Sequence, residues 1–238
     1  RYNGIFIYCR RKKNGREIRR KIKGYKIFKR SYAFCFKYYK NHLRIIDKQV
    51  FFMLYCRQKE VRKMAKLLKH FITVTRHRNA VMIHCFKAGI PLQGLMHDLS
   101  KYSFTEFFGG VKYFQGNRSP HEAEREDKGY SEGWMHHKGR NRHHFEYWTD
   151  YNPETKLMSP VKMPVKYVKE MFCDRVAACK IYMKKNYHDK AALDYFMKAK
   201  GRRVINPETS DLIEKLLTML SEKGEKETFK YIRNLKEY

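Results

Sequence analysis

From residue 64 onward, apolar side chains return every three or four positions, and Gly or Pro falls where that rhythm stops. The first stripe, Leu67, Phe71, Val74, Val81 and Cys85, predicts a helix over about 64–88 that ends at Gly89-Ile90-Pro91. A second helix is expected over about 92–101. Ser103 with Glu106 three residues later has the form of a capping box and opens a short helix, which Gly109-Gly110 weakens. Another is predicted over 120–137, with Gly129 and Gly133 as weak points. The stretch 138–163 reads as loop, interrupted by Pro153 and Pro160. Pro164 then opens a strong helix to about 185, apolar on two sides. Helices over about 189–200, 207–223 and 224–236 complete the chain. No stretch alternates in the manner of a strand with hairpin signals, so the expected fold class is all-α.

The charge divides the chain unevenly. Its 238 residues carry a formal net charge of +29, and residues 1–63 alone hold 21 Lys and Arg against Glu17, Asp47 and Glu60. That quarter shows no sustained helical or strand period, and Met64 is followed directly by an amphipathic pattern. We therefore read residues 1–63 as a basic segment, upstream of a natural start at Met64 or disordered, and 64–238 as one helical domain. A basic arm of this kind could also grip nucleic-acid phosphates. The six Cys form no CxxC pair or disulfide spacing, which favours a reducing, cytoplasmic setting. No run of 18 apolar residues occurs, so no transmembrane helix is expected.

The chemistry concentrates in imidazoles and carboxylates. His70, His77 and His84 recur every seven residues along the first helix, next to its apolar stripe. A short Gly-Pro turn folds the next helix back and brings His97-Asp98 within reach of His77 or His84. Asp98 lies between Leu95, Leu99 and Tyr102 at helical spacing, and Asp174 shares a stripe with Tyr167, Met171, Ala178 and Ile181. An ionised carboxylate facing a core needs a cation, donors or a proton, because its desolvation costs several kcal/mol. Arg175 or a Lys could meet that need as a plain salt bridge. Two inward aspartates among many histidines favour a metal ion.

The segment Trp134-Met-His-His-Lys-Gly-Arg-Asn-Arg-His-His-Phe-Glu-Tyr-Trp is the densest chemistry in the chain. Two Trp residues could dock it against a core, and one His of each pair could bind an ion while the other orients it. Lys138, Arg140, Arg142 and Lys101 would supply donors for a phosphate ester. Glu106 and Glu146 are candidate outer acceptors, whereas His42, His121 and His188 read as ordinary polar positions.

The order His, His-Asp, His, His-His, Asp on successive helices resembles the HD-domain superfamily of metal-dependent phosphohydrolases. The resemblance implies an HD-like helical bundle. It makes His77 or His84 the opening ligand, His97 and Asp98 the eponymous pair and Asp174 the closing ligand of one ion. His137 with His143 or His144 would then serve a second ion. The gap from His84 to His97 is shorter than in that superfamily, which narrowly favours His77. More closely, Gly94-Leu-Met-His-Asp-Leu-Ser-Lys-Tyr and Met171-Phe-Cys-Asp-Arg-Val-Ala-Ala look like a family of uncharacterised short proteins of bacteria and phages, some labelled catalase; a haem catalase is a much larger β-barrel protein.

The function expected from the residues and the resemblance is hydrolysis of a phosphomonoester or nucleotide by metal-activated water. Asp98, Lys101 and Arg142 would be the catalytic groups, and the cofactor would be one or two divalent ions (Mn, Fe, Co, Ni, Zn or Mg). A di-iron oxygenase and a nucleic-acid-binding module stand as alternatives.

Overall fold

The computed structural model describes residues 8–13, 16–21 and 45–238. The chain divides into two compact units, Arg1–Val61 and Arg62–Tyr238. In the first, β1 (Tyr8–Lys13) pairs antiparallel with β2 (Arg16–Lys21), Tyr8 opposite Lys21 and Lys13 opposite Arg16. This hairpin lies in a stretch where no helical or strand period predicts an element, and His42 and Cys35 fall outside the described residues.

The second unit is helical. Helix α1 (Ile45–Lys87) crosses the boundary between the units and begins well before the residue expected to open it. It ends where Gly89 takes a φ of +76°, a left-handed turn that glycine adopts without a Cβ penalty. Helix α2 (Pro91–Met96) returns along α1 at such short range that a Cβ on Gly94 would lie 2.7 Å from that of Cys85. A single-turn 3-10 helix (Leu99–Tyr102), α3 (Phe104–Tyr113), α4 (Pro120–Lys128) and α5 (Glu132–Lys138) follow. The expected helix over 120–137 is thus two, parted at Gly129, whose φ is +82°. Ser103 caps α3 by accepting from the Glu106 amide, as the capping box requires.

The expected loop contains β3 (Thr149–Asn152) and β4 (Leu157–Pro160), an antiparallel hairpin with Asn152 opposite Leu157. Asn152 Oδ1 accepts from the amides of Glu154 and Thr155 and so closes the turn. Helix α6 (Val165–Met183) runs through the core, as its two apolar sides predicted. Val168, Phe172, Cys173, Val176 and Ala177 are inaccessible and pack among Val81 and Cys85 of α1. Beyond it, α7 (Ala191–Met197) contributes Phe196. Helix α8 (Pro207–Asn234), interrupted at Gly224, contributes Leu212, Ile213, Leu216, Leu220 and Ile232. The unit is an all-α bundle with one small hairpin. No helix among the described residues is long and apolar enough to cross a membrane.

Candidate metal centre

His97 and Asp98 are not helical. Helix α2 stops at Met96, and Asp98 takes φ +54° and ψ +26°, the left-handed region that non-glycine residues rarely enter. Arg78 of α1 holds this break in place by donating to the carbonyls of Leu95 (2.5 Å) and His97 (3.0 Å), which the ended helix leaves without partners. The sequence placed Asp98 inward on a stripe with Leu95 and Leu99, yet both are well exposed while Asp98 is buried. The turn of the backbone, not helical spacing, drives the carboxylate into the protein.

Four elements then converge on that carboxylate. On one side, Asp98 Oδ2 lies 3.2 Å from His97 Nε2 and 3.6 Å from His77 Nε2, with Asp174 Oδ1 3.0 Å from His77 Nε2. On the other, Asp98 Oδ1 lies 3.3 Å from His137 Nε2 and 3.5 Å from His143 Nε2. His144 joins this second group. Two sets of donors, His77, His97, Asp98 and Asp174 and then Asp98, His137, His143 and His144, could each hold one ion, with Asp98 common to both. Ligands about 2.1 Å from one ion and at roughly 90–110° to each other lie about 3.0–3.5 Å apart, close to the spacings found here.

The outer hydrogen bonds aim the rings. Glu170 Oε1 meets Nδ1 of His97 (2.9 Å) and of His143 (3.1 Å), and Glu106 Oε2 meets Nδ1 of His137 (2.7 Å). An imidazole that donates from Nδ1 to a carboxylate presents the Nε2 lone pair at its other edge, as metal-binding histidines do. In keeping with that, Nε2 of His77, His97, His143 and His144 and Oδ1 of Asp98 are buried without a hydrogen-bond partner. Buried polar atoms are seldom left unpaired, so their convergence fits a cation.

Charge tells the same story. Asp98, Asp174, Glu170 and Glu106 all lie against these rings, and the Nζ of Lys101 is 2.6 Å from Asp98 Oδ2. Burial works against a charged His97, but the Asp98, Glu170 and Asp174 carboxylates outweigh it and raise its pKa to about 10. Burial likewise opposes ionised Asp98, and His97, Lys101 and His137 hold its carboxyl well below the usual range. Asp174 is held down in the same way, by His77 and His143. The cluster calls for positive charge at its centre.

Of the residues singled out from the sequence, His77, His97, Asp98, His137, His143, His144, Asp174 and Lys101 come together. His84 does not. Seven residues along a helix is about 10.5 Å, too far for His77 and His84 to serve one ion. The His84 ring sits on Phe229, with Nδ1 3.3 Å from the Cys173 carbonyl and Nε2 3.3 Å from Lys180 Nζ. Burial and then Lys180 lower its pKa to about 4. Arg142 is also elsewhere: exposed, it donates to the Tyr167 hydroxyl (3.3 Å) and lies over the Tyr147 ring. Its carbonyl accepts from the Trp148 indole (2.7 Å), while Trp134 packs against His144, so both Trp residues dock the histidine loop. Arg175 forms no ion pair with Asp174 among the described residues, whose carboxylate pairs with His77 and His97 instead.

Glu106 is the outer acceptor expected of it, and it also takes His136 Nδ1 (2.6 Å). Glu146 is not, since its Oε2 is buried without a partner. Sequence reasoning missed Glu170, although it stands one helical turn before Asp174 and so on the same face of α6. It missed His121 as well, whose ring stacks beside His137 and whose Nδ1 meets Ser131 Oγ at 3.1 Å.

No curated protein and no solved structure matches the chain. One family model does, over residues 66–219, a span that contains every residue of both donor groups, and the chain belongs to that family, described as Family of unknown function (DUF5662).

Proposed function

We propose that this protein is a metal-dependent phosphohydrolase, similar in its site to the HD-domain superfamily, acting on a phosphomonoester or nucleotide. The observation that carries the reading is Asp98, whose two oxygens face two separate donor groups. A shared carboxylate is what a two-ion site needs to hold its ions about 3.5–4 Å apart. When bound, divalent ions at such a site supply a water of lowered pKa and polarise a phosphoryl oxygen.

The side chains divide the remaining work. His77, His97 and Asp174 hold the first position, and His137, His143 and His144 the second. Both oxygens of Asp98 are already surrounded by ring nitrogens and Lys101, so its part is that of a ligand. Lys101 spends one ammonium proton on Asp98 and keeps two donors for phosphoryl oxygens, where negative charge gathers. In the reaction, the water oxygen forms a bond to phosphorus as the ester P–O bond breaks. One water proton ends on the leaving oxygen and the other stays on the phosphate.

The donor set is dominated by imidazole, which suits iron as well as manganese, cobalt, nickel or zinc. That composition supports a second reading, a di-iron oxygenase. One experiment separates the two: the purified protein, loaded with Mn, Co, Ni, Mg or anaerobically with Fe, is assayed against phosphomonoesters and nucleotides and for oxygen uptake. Phosphate release that Asp98→Asn abolishes supports the hydrolase. Oxygen uptake by the iron form alone supports the oxygenase, and metal-loaded protein inactive in every hydrolytic assay overturns the hydrolase.

A further inference from the structure

We propose that Glu170 is a positioning residue that ties the two ion positions together through one shared carboxylate oxygen. The proposal rests on the metal reading of the site and concerns a residue outside the two groups that share Asp98, although Glu170 with His97 and His143 forms a third group close enough to hold an ion.

Glu170 is 5% exposed, on α6 one turn before Asp174. Its Oε1 accepts from two rings at once, His97 Nδ1 at 2.9 Å and His143 Nδ1 at 3.1 Å. Those rings stand side by side, with centroids 4.4 Å apart, yet of the two groups that share Asp98 they belong to different ones. His97 Nε2 turns toward Asp98 Oδ2 and Asp174 Oδ1, and His143 Nε2 toward Asp98 Oδ1. One oxygen therefore fixes the tautomer and the direction of a ligand on each side. Glu106 offers the contrast: its Oε2 serves His137 in the second group and its Oε1 serves His136, which is in neither. Asp98 joins the positions from inside, and Glu170 joins them from outside. A ring that donates to a carboxylate is a more basic ligand than one that donates to a neutral amide. Removing the Glu170 charge weakens both positions, whereas removing that of Glu106 weakens one.

The test compares the full-length protein with Glu170→Gln and Glu106→Gln, both nearly isosteric. Mn or Co binding is followed by calorimetry, with metal content by elemental analysis and thermal unfolding of each metal-free protein alongside. The expected result is two ions in the wild type, about tenfold or more weaker binding of both in Glu170→Gln, and a comparable loss at one ion alone in Glu106→Gln. Wild type with two ions and a Glu170→Gln variant weakened at one or neither overturns the proposal but leaves the metal reading intact. Wild type that takes up no ion overturns both. Should Glu170→Gln fail to fold, ring-nitrogen NMR of the zinc-loaded wild type decides: a proton on Nδ1 of both His97 and His143 supports the shared acceptor, and an unprotonated Nδ1 on either overturns it.

Discussion

His77 on α1 and Asp174 on α6 face each other, Nε2 to Oδ1, at 3.0 Å. This pairing puts His77 in the donor group with His97, Asp98 and Asp174, whereas His84 is two turns away on Phe229. His77→Ala is therefore expected to weaken metal binding by at least the ~10–100-fold that loss of an outer partner costs, and His84→Ala to leave it unchanged. Calorimetric titration of the two variants checks this, and the reverse ranking would refute the assignment.

His84 makes a separate prediction about pH. Its pKa in the folded protein is about 4, below the ordinary value of 6.5, so the unfolded chain binds the proton first as pH falls. The stability that neutral His84 contributes is complete above pH 6.5 and is lost between 6.5 and about 4. The loss is on the order of 3 kcal/mol. Denaturant unfolding of His84→Gln beside the wild type should give a smaller drop across that window; parallel curves would contradict the burial argument.

Much of the fold was legible because helix starts and stops are local. Ser103, Gly89 and Pro164 each act within a turn of themselves, and elements begin or end where they stand, whereas Gly129 parts a helix that was expected to run on to 137. The hairpin of β3 and β4 was not legible, since Thr149–Asn152 and Leu157–Pro160 bury no alternating face to show in the sequence. Asp98 is the instructive residue. Spacing pointed it inward for a reason that the exposed Leu95 and Leu99 refute, and the true cause, a left-handed residue pinned by Arg78, depends on contacts across 17 and 19 residues of chain that no local pattern reveals. Glu170 was readable in principle from its place one turn from Asp174.

Asp98→Asn keeps the shape of the side chain and removes its charge. If Asp98 is common to both positions, this one change empties both, whereas His143→Ala spares the first group. Elemental analysis after dialysis should find neither ion in Asp98→Asn and one in His143→Ala. Retention of an ion by Asp98→Asn would contradict a shared carboxylate.

Packing near the site can be tested without touching it. A Cβ on Gly110 would lie 2.4 Å from Nε2 of the buried His70 ring, which is flanked by Phe107 and Phe114. Gly110→Ala should cost about 1–3 kcal/mol, in the range of overpacked cores, with metal content unchanged. Combining it with His70→Ala should recover part of that loss in chemical denaturation; additive losses would show that the two positions do not meet.

Distant imidazoles and carboxylates meet at Asp98 in two groups, each proposed to hold one cation. Anomalous diffraction from crystals of the Mn- or Co-loaded protein tests it most directly. Two peaks about 3.5–4 Å apart, one on each side of Asp98, are the predicted result; metal bound elsewhere, with His77, His97, His137, His143 and Asp174 ligating nothing, would contradict it.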